Sequence, residues 1–169
     1  MMGNEIINKI ADAGIEQLDL KIFMPDKKQI MPIDIKDQLW NNLVIKEKEF
    51  RTWIKTHDWQ QYEERTVAVF CSADAIIPAW VYMLIATELK KSKVIYGDMK
   101  AAIETLFFNS LENWNCGMLQ DKIVMVKGCS DIPCPEKAYL MITKKLVPIV
   151  KSLMFGEPCS AVPVYKRRG

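Results

Sequence analysis

Several common signatures are scarce or missing in this chain. It holds one histidine, seven glycines and six serines in 169 residues. No glycine-rich loop follows an apolar run, so a nucleotide-phosphate cradle is not indicated. Neither of the two compact thiol words is present. There is no C-x-x-C, and no cysteine is followed by five residues and an arginine: the sixth position after Cys71 is Ile77, and after Cys129 it is Pro135. No apolar run approaches the ~20 residues of a membrane span. The amphipathic stretch MMGNEIINKIADAG lacks the basic start and apolar centre of a secretory signal. A net charge of +2 without a basic stripe argues against nucleic acid, and terminal Lys166-Arg167-Arg168 reads as a solvated tail. Five cysteines, an odd number without tight spacing, indicate reduced thiols and a cytoplasmic location.

What is present is half hydrophobic and about a quarter charged, an ordinary globular composition of one-domain length. Asn4 and Gly14 bracket an expected N-terminal helix. Residues 18–23, LDLKIF, alternate as a strand, and QIMPID reads as an edge strand limited by Pro32. Asp34 is expected to cap a long helix whose inner face carries Leu39, Leu43, Phe50 and Ile54. The loop THDWQQYEE follows, with His57. Thereafter TVAVF, KVIYG and KIVMV read as strands and residues 77–91, 99–113 and 135–154 as helices, the last kinked near Pro148. The expected fold is a single three-layer α/β domain over residues 1–169. It has a mainly parallel central sheet, an N-terminal helix, a small antiparallel edge element and an extended tail at residues 155–169.

Cys-Ser occurs at Cys71-Ser72, Cys129-Ser130 and Cys159-Ser160, the last two within the pattern Cys-Ser-x-(Ile/Val)-Pro, so three of six serines follow a cysteine. No whole-unit repeat is visible beyond these words. Cys71 and Cys129 end strands, and in one parallel sheet such ends share an edge, the edge that carries binding sites. Cys159 follows a helix expected to finish at the opposite edge, so the tail has to travel back. Nearby helix starts favour a thiolate over a thiol. Serines and prolines are also ordinary turn residues, and a cysteine at a strand end is a common small hydrophobe.

Three readings stand. Cys71, Cys129 and Cys159, with Cys134, His57 or Asp74 as a fourth ligand, suit tetrahedral zinc or an iron–sulfur cluster. Alternatively, Cys71 or Cys129 is a nucleophile with His57 as base and Asp58 or Asp74 orienting it. Lastly, the cysteines are buried and inert, and some of the five tryptophans (Trp40, Trp53, Trp59, Trp80 and Trp114) form a docking face.

NEIINKIADAG, CSADAIIPAW, KGCSDIPCPEKAY and FGEPCSAVPVYKR together resemble the bacterial family known as domain of unknown function 2480. The resemblance covers essentially the whole chain. It implies no activity. Through gene neighbourhood it implies an accessory role beside the machinery that assembles iron–sulfur clusters, with partners among those assembly proteins.

Overall fold

A computed structural model of the chain describes residues 7–10, 14–128, 131–157 and 160–168. It is an α/β protein. In chain order the strands β1 (Ile7–Ile10) and β2 (Ile15–Leu18) come first. They are followed by β3 (Ile30–Asp34), the short pair β4 (Leu39–Trp40) and β5 (Val44–Ile45), and helix α1 (Glu47–Thr56). Then come β6 (Thr66–Phe70), α2 (Ala79–Glu88), β7 (Lys93–Tyr96), α3 (Met99–Asn113), β8 (Ile123–Val126), α4 (Pro135–Leu146), β9 (Ser152–Phe155) and β10 (Val162–Lys166).

The chain forms two compact units, one of Met1–Met24 with Leu106–Gly169 and one of Pro25–Thr105. We call these unit 1 and unit 2. In unit 1 the sheet order is β1-β2-β8-β9-β10. Its three inner strands are parallel and its two outer strands antiparallel to their neighbours. Leu18, Leu20, Phe107, Leu111, Ile142, Leu146 and Leu153 are buried in its core. In unit 2 the three strands β3-β6-β7 are all parallel. Ile33, Phe50, Val67, Val69, Val81, Ile85 and Leu89 form its separate core.

Several local expectations change. Residues 7–10, expected in a helix, pair antiparallel with β2, Ile7 opposite Leu18. LDLKIF is not one strand. Asp19 ends β2 by accepting the Lys21 N–H at 2.9 Å, and residues Leu20–Phe23 wind into a 3-10 turn. Leu20 and Phe23, three residues apart, are the buried pair of that turn. The long helix from Asp34 is interrupted because Asn41 and Asn42 both take positive φ, 51° and 56°, the geometry of a tight hairpin between β4 and β5. Helix α4 stops at Leu146, just short of Pro148, and the segment read as its tail is the strand β9. Residues 155–169 contribute β10 to the sheet. Pro32 lies in β3, an edge strand, as its missing N–H requires.

The structure also reveals a repeat that the bare sequence hides. Leu18-Asp19-Leu20-Lys21 in unit 1 and Ile33-Asp34-Ile35-Lys36 in unit 2 each close a strand and open a 3-10 turn, with the aspartate accepting the lysine N–H. The next parallel strand, β8 or β6, leads in sequence to Cys-Ser and then to a helix with a proline at its start, Pro135 as the first residue of α4 and Pro78 as the N-cap of α2. Val81 and Ile85 on α2 and Leu89 directly after it match Ala138, Ile142 and Leu146 on α4, all buried. Tyr82 meets Tyr96 edge-on at 5.5 Å, as Tyr139 meets Phe155 at 5.0 Å. Gly97 and Gly156 follow those aromatics with φ of 123° and 117° and donate to Val69 and Val126. The two units are therefore variants of one β–β–α–β plan.

Candidate functional site

The strands ending before Cys71 and Cys129 belong to two different sheets, so the single shared edge expected for them is in fact two edges. Long-range pairing decides it: β8 lies parallel to β2 in unit 1, and β6 lies parallel to β3 in unit 2, each beside a strand that ends in a D-x-K turn.

In unit 2, β3 and β6 end side by side, Asp34 opposite Phe70. One carboxylate oxygen of Asp34 accepts the N–H of Ser72 and that of Lys36, both at 3.0 Å. Partial burial pushes the Asp34 pKa up, but the Ser72 hydroxyl and N–H, the Lys36 N–H and the Lys36 charge outweigh it, leaving the carboxyl below its usual value of 3.8. This carboxylate ties the Cys-Ser turn to the neighbouring strand, a role the sequence reading missed by making Asp34 a helix cap. The recurrence of L-D-L-K and I-D-I-K was the available signal. The half-buried Cys71 thiol donates to the Ala73 carbonyl at 3.6 Å. Asp74 is exposed. Burial pushes the Tyr82 phenol above 10.0, reinforced by neighbouring Tyr96 and Cys71, so it stays protonated at neutral pH.

His57 sits at the end of α1 inside an aromatic cluster. Its ring lies 4.9 Å from Trp53, 4.7 Å from Trp59 and 5.7 Å from Tyr62. Its Nε2 pairs with the Tyr62 hydroxyl at 3.1 Å, while the Trp59 N–H donates to the Ile54 carbonyl at 2.7 Å. Burial holds the His57 pKa below 6.5 against the pull of Asp58. The unfolded chain therefore takes up the proton first. We expect stability to fall as pH drops from neutrality through 6.5 towards the folded-state value, and to change no further from this group below that value. Thermal melts between pH 8 and pH 5 check this. The slope should shrink in His57→Gln, and an unchanged slope would contradict it. His57 and Cys71 each have a hydrogen-bond partner other than the other: Tyr62 and Ala73.

In unit 1 the parallel strands β8 and β9 run in register with Val126 opposite Phe155. The ladder continues one step further, the Gly156 N–H donating to the Val126 carbonyl at 3.0 Å. The tail therefore does not finish at the opposite edge. The strand β9 brings it back to the edge that β8 leaves. After β8, the described residues from Asp131 run through buried Ile132 to Cys134, which is exposed, has a φ of 40° and stands at the N-cap of α4. Asp131 is ion-paired with Lys21 at 2.9 Å, and the Tyr139 hydroxyl donates to the Lys127 carbonyl at 3.3 Å. Around the other segment, the Ser160 N–H closes a turn onto Glu157 at 2.9 Å. Cys129 and Cys159 themselves lie outside the described residues. Among the described residues, no group of three or more His, Cys, Asp or Glu side chains is arranged to hold a metal ion.

A family model, "Protein of unknown function (DUF2480)", matches residues 4–167. The chain belongs to the DUF2480 family. No curated protein and no solved structure matches it. Among the described residues of this DUF2480 protein, no helix is long and apolar enough to cross a membrane. Its cysteines divide by unit: Cys71 alone in unit 2, and Cys116, Cys129, Cys134 and Cys159 in unit 1. The six candidate ligands divide likewise. Cys71, His57 and Asp74 fall in unit 2, and Cys129, Cys134 and Cys159 in unit 1.

Proposed function

We propose that this DUF2480 protein binds a soft metal ion or an iron–sulfur cluster through Cys129, Cys159 and Cys134 of unit 1. It does so in the cytoplasm, as an accessory to iron–sulfur cluster assembly or sulfur handling. One observation carries the reading: Val126 and Phe155 are partner positions on adjacent parallel strands, and the two Cys-Ser words follow them in sequence. Adjacent strands lie about 4.8 Å apart. Cys129 is three residues past Val126 and Cys159 four past Phe155. At up to ~3.5 Å per residue, both excursions are long enough to reach one ion. Cys134 heads the helix that the first excursion enters. Three thiolates suit zinc or one corner-open cluster, and the open corner is where an assembly partner or a transferred cluster would engage.

Cys71 is left out of this ligand set, since the strand before it pairs with neither β8 nor β9 and its thiol donates to the Ala73 carbonyl. His57 is packed among three aromatic rings. The test is metal and acid-labile sulfide analysis after anaerobic purification, with an absorption spectrum. The expected result is about one zinc ion or one cluster per chain. That content is lost in Cys129→Ser and Cys159→Ser and retained in Cys71→Ser, with circular dichroism unchanged in all three. A protein free of metal and sulfide even after reconstitution, or a content indifferent to Cys129→Ser, overturns the proposal.

A further inference from the structure

The repeat between the units exposes one element that unit 1 has and unit 2 lacks. In unit 1 the third parallel strand, β9, is flanked by β10, which pairs antiparallel to it with Val162 opposite Phe155. In unit 2 the corresponding strand, β7, is the last of its sheet among the described residues. Phe155 and Tyr96 are equivalent, each stacked edge-on against a helix tyrosine and followed by a positive-φ glycine. Tyr96 is 76% exposed and Val94 41% exposed.

The free edge of β7 is also built for pairing. Its Lys93 and Gly97 N–H groups are spent on β6, donating to Arg65 and Val69 at 2.9 Å each. Successive residues of a strand point their peptide groups to opposite sides, so those of Val94 and Tyr96 face the open edge. Natural sheets blunt such edges with proline, with charged residues such as lysine, with bulges, or by keeping the strand short. The strands β3 and β10 carry Pro32 and Pro163, whereas β7, Lys93-Val94-Ile95-Tyr96, carries no proline and one lysine.

We propose that β7 pairs antiparallel with β7 of a second copy of this chain, making a two-fold dimer with a continuous six-stranded sheet. The hydrogen-bonding parity of the edge allows only registers that place outward-facing residues opposite one another, and among them we take the one that uses both Val94 and Tyr96. Val94 lies opposite Tyr96 of the partner, Ile95 lies on the axis, and Lys93 lies opposite the partner's Gly97. This register forms two hydrogen-bonded pairs and sets no like charges against each other. It gives Tyr96 a valine neighbour across the strands, as Phe155 has in Val162. It also makes the interface isologous, the arrangement of most homodimers.

Sedimentation velocity on the purified full chain, from ~1 to ~100 μM protein, tests this proposal. The expected wild-type mass approaches twice 19.5 kDa as concentration rises. Val94→Pro removes an N–H that faces only the open edge, and Tyr96→Asp puts charge beside it. Each is expected to raise the dimer dissociation constant roughly tenfold or more. Met83→Asp, on the exposed flank of α2, leaves it unchanged. If Val94→Pro unfolds, as judged by circular dichroism, Tyr96→Asp decides. A wild-type chain that stays monomeric across the range, a larger open-ended assembly, or a dimer indifferent to Tyr96→Asp overturns the proposal. A monomer would also leave the edge to a strand from some other protein.

Discussion

Gly97→Ala is expected to destabilise unit 2 by roughly 2–4 kcal/mol, the largest loss from adding a single methyl group. Two costs add. The φ of 123° is a conformation L-residues rarely adopt, worth about 1–3 kcal/mol of strain. An added Cβ would also stand 2.6 Å from the Ala101 Cβ, and Ala101 is held in the first turn of α3, where the Asp98 carboxylate accepts its N–H. Crowding of that kind costs about 1–3 kcal/mol. Against this, alanine narrows the unfolded ensemble by up to about 1 kcal/mol. Gly14 makes the control, because its φ is 63° and a Cβ there meets nothing within 4 Å. Gly14→Ala should fall well short of Gly97→Ala. Denaturant melts followed by tryptophan fluorescence read unit 2 selectively, since Trp40, Trp53, Trp59 and Trp80 lie in it and only Trp114 lies in unit 1. A loss below ~1 kcal/mol for Gly97→Ala would mean that the strand end relaxes freely, and that the glycine is not what fixes the turn.

The same turn shows which parts of the fold the sequence could announce. Uninterrupted Val/Ile runs such as TVAVF and KIVMV are legible as buried parallel strands, because apolar length needs no partner to be recognised. Helices with a periodic inner face, such as 99–113, are legible for the same reason. The D-x-K turns were not. LDLKIF alternates like a strand, yet the side-chain bond from Asp19 to the Lys21 N–H wins locally and turns the chain. Asn41-Asn42 hid inside a helical spacing, although two consecutive asparagines are among the few residues that tolerate left-handed backbone. SLMF continues a helical pattern without a break in composition, and Pro148 is the one local mark that the helix stops before it. This strand matters most for the site, because β9 is the element that returns the tail to the edge of β8.

Part of the candidate site was legible and part was not. The three Cys-Ser words stand out in any reading of the chain. Their grouping depended on which strands share a sheet, and that is decided by long-range pairing. Two sheets of similar plan cannot be told from one larger sheet by strand periodicity alone. Asp34 was invisible as a companion of the Cys71-Ser72 turn because its bond to Ser72 depends on neighbouring strands ending together. His57 was singled out as the lone histidine, and its ring turns out to be packed against Trp53, Trp59 and Tyr62.

The second large effect is the division of the cysteines. If Cys129, Cys134 and Cys159 are one ligand set, a bound ion lowers their reactivity together, because a coordinated thiolate is no longer a free nucleophile. Removing any one of the three weakens the other two as ligands, since three-point coordination is strongly cooperative with folding of the site. Cys71 and Cys116 are each half-buried and belong to neither excursion from the β8–β9 edge, so their reactivity should be the same with or without metal. Alkylation of all five cysteines, read by mass spectrometry with and without zinc on protein purified anaerobically, therefore tests the central claim in one experiment. The account predicts that zinc protects Cys129, Cys134 and Cys159 together, by at least ~tenfold in rate, and leaves Cys71 and Cys116 unchanged. Protection of Cys71 with Cys129, or of no cysteine at all, would contradict it.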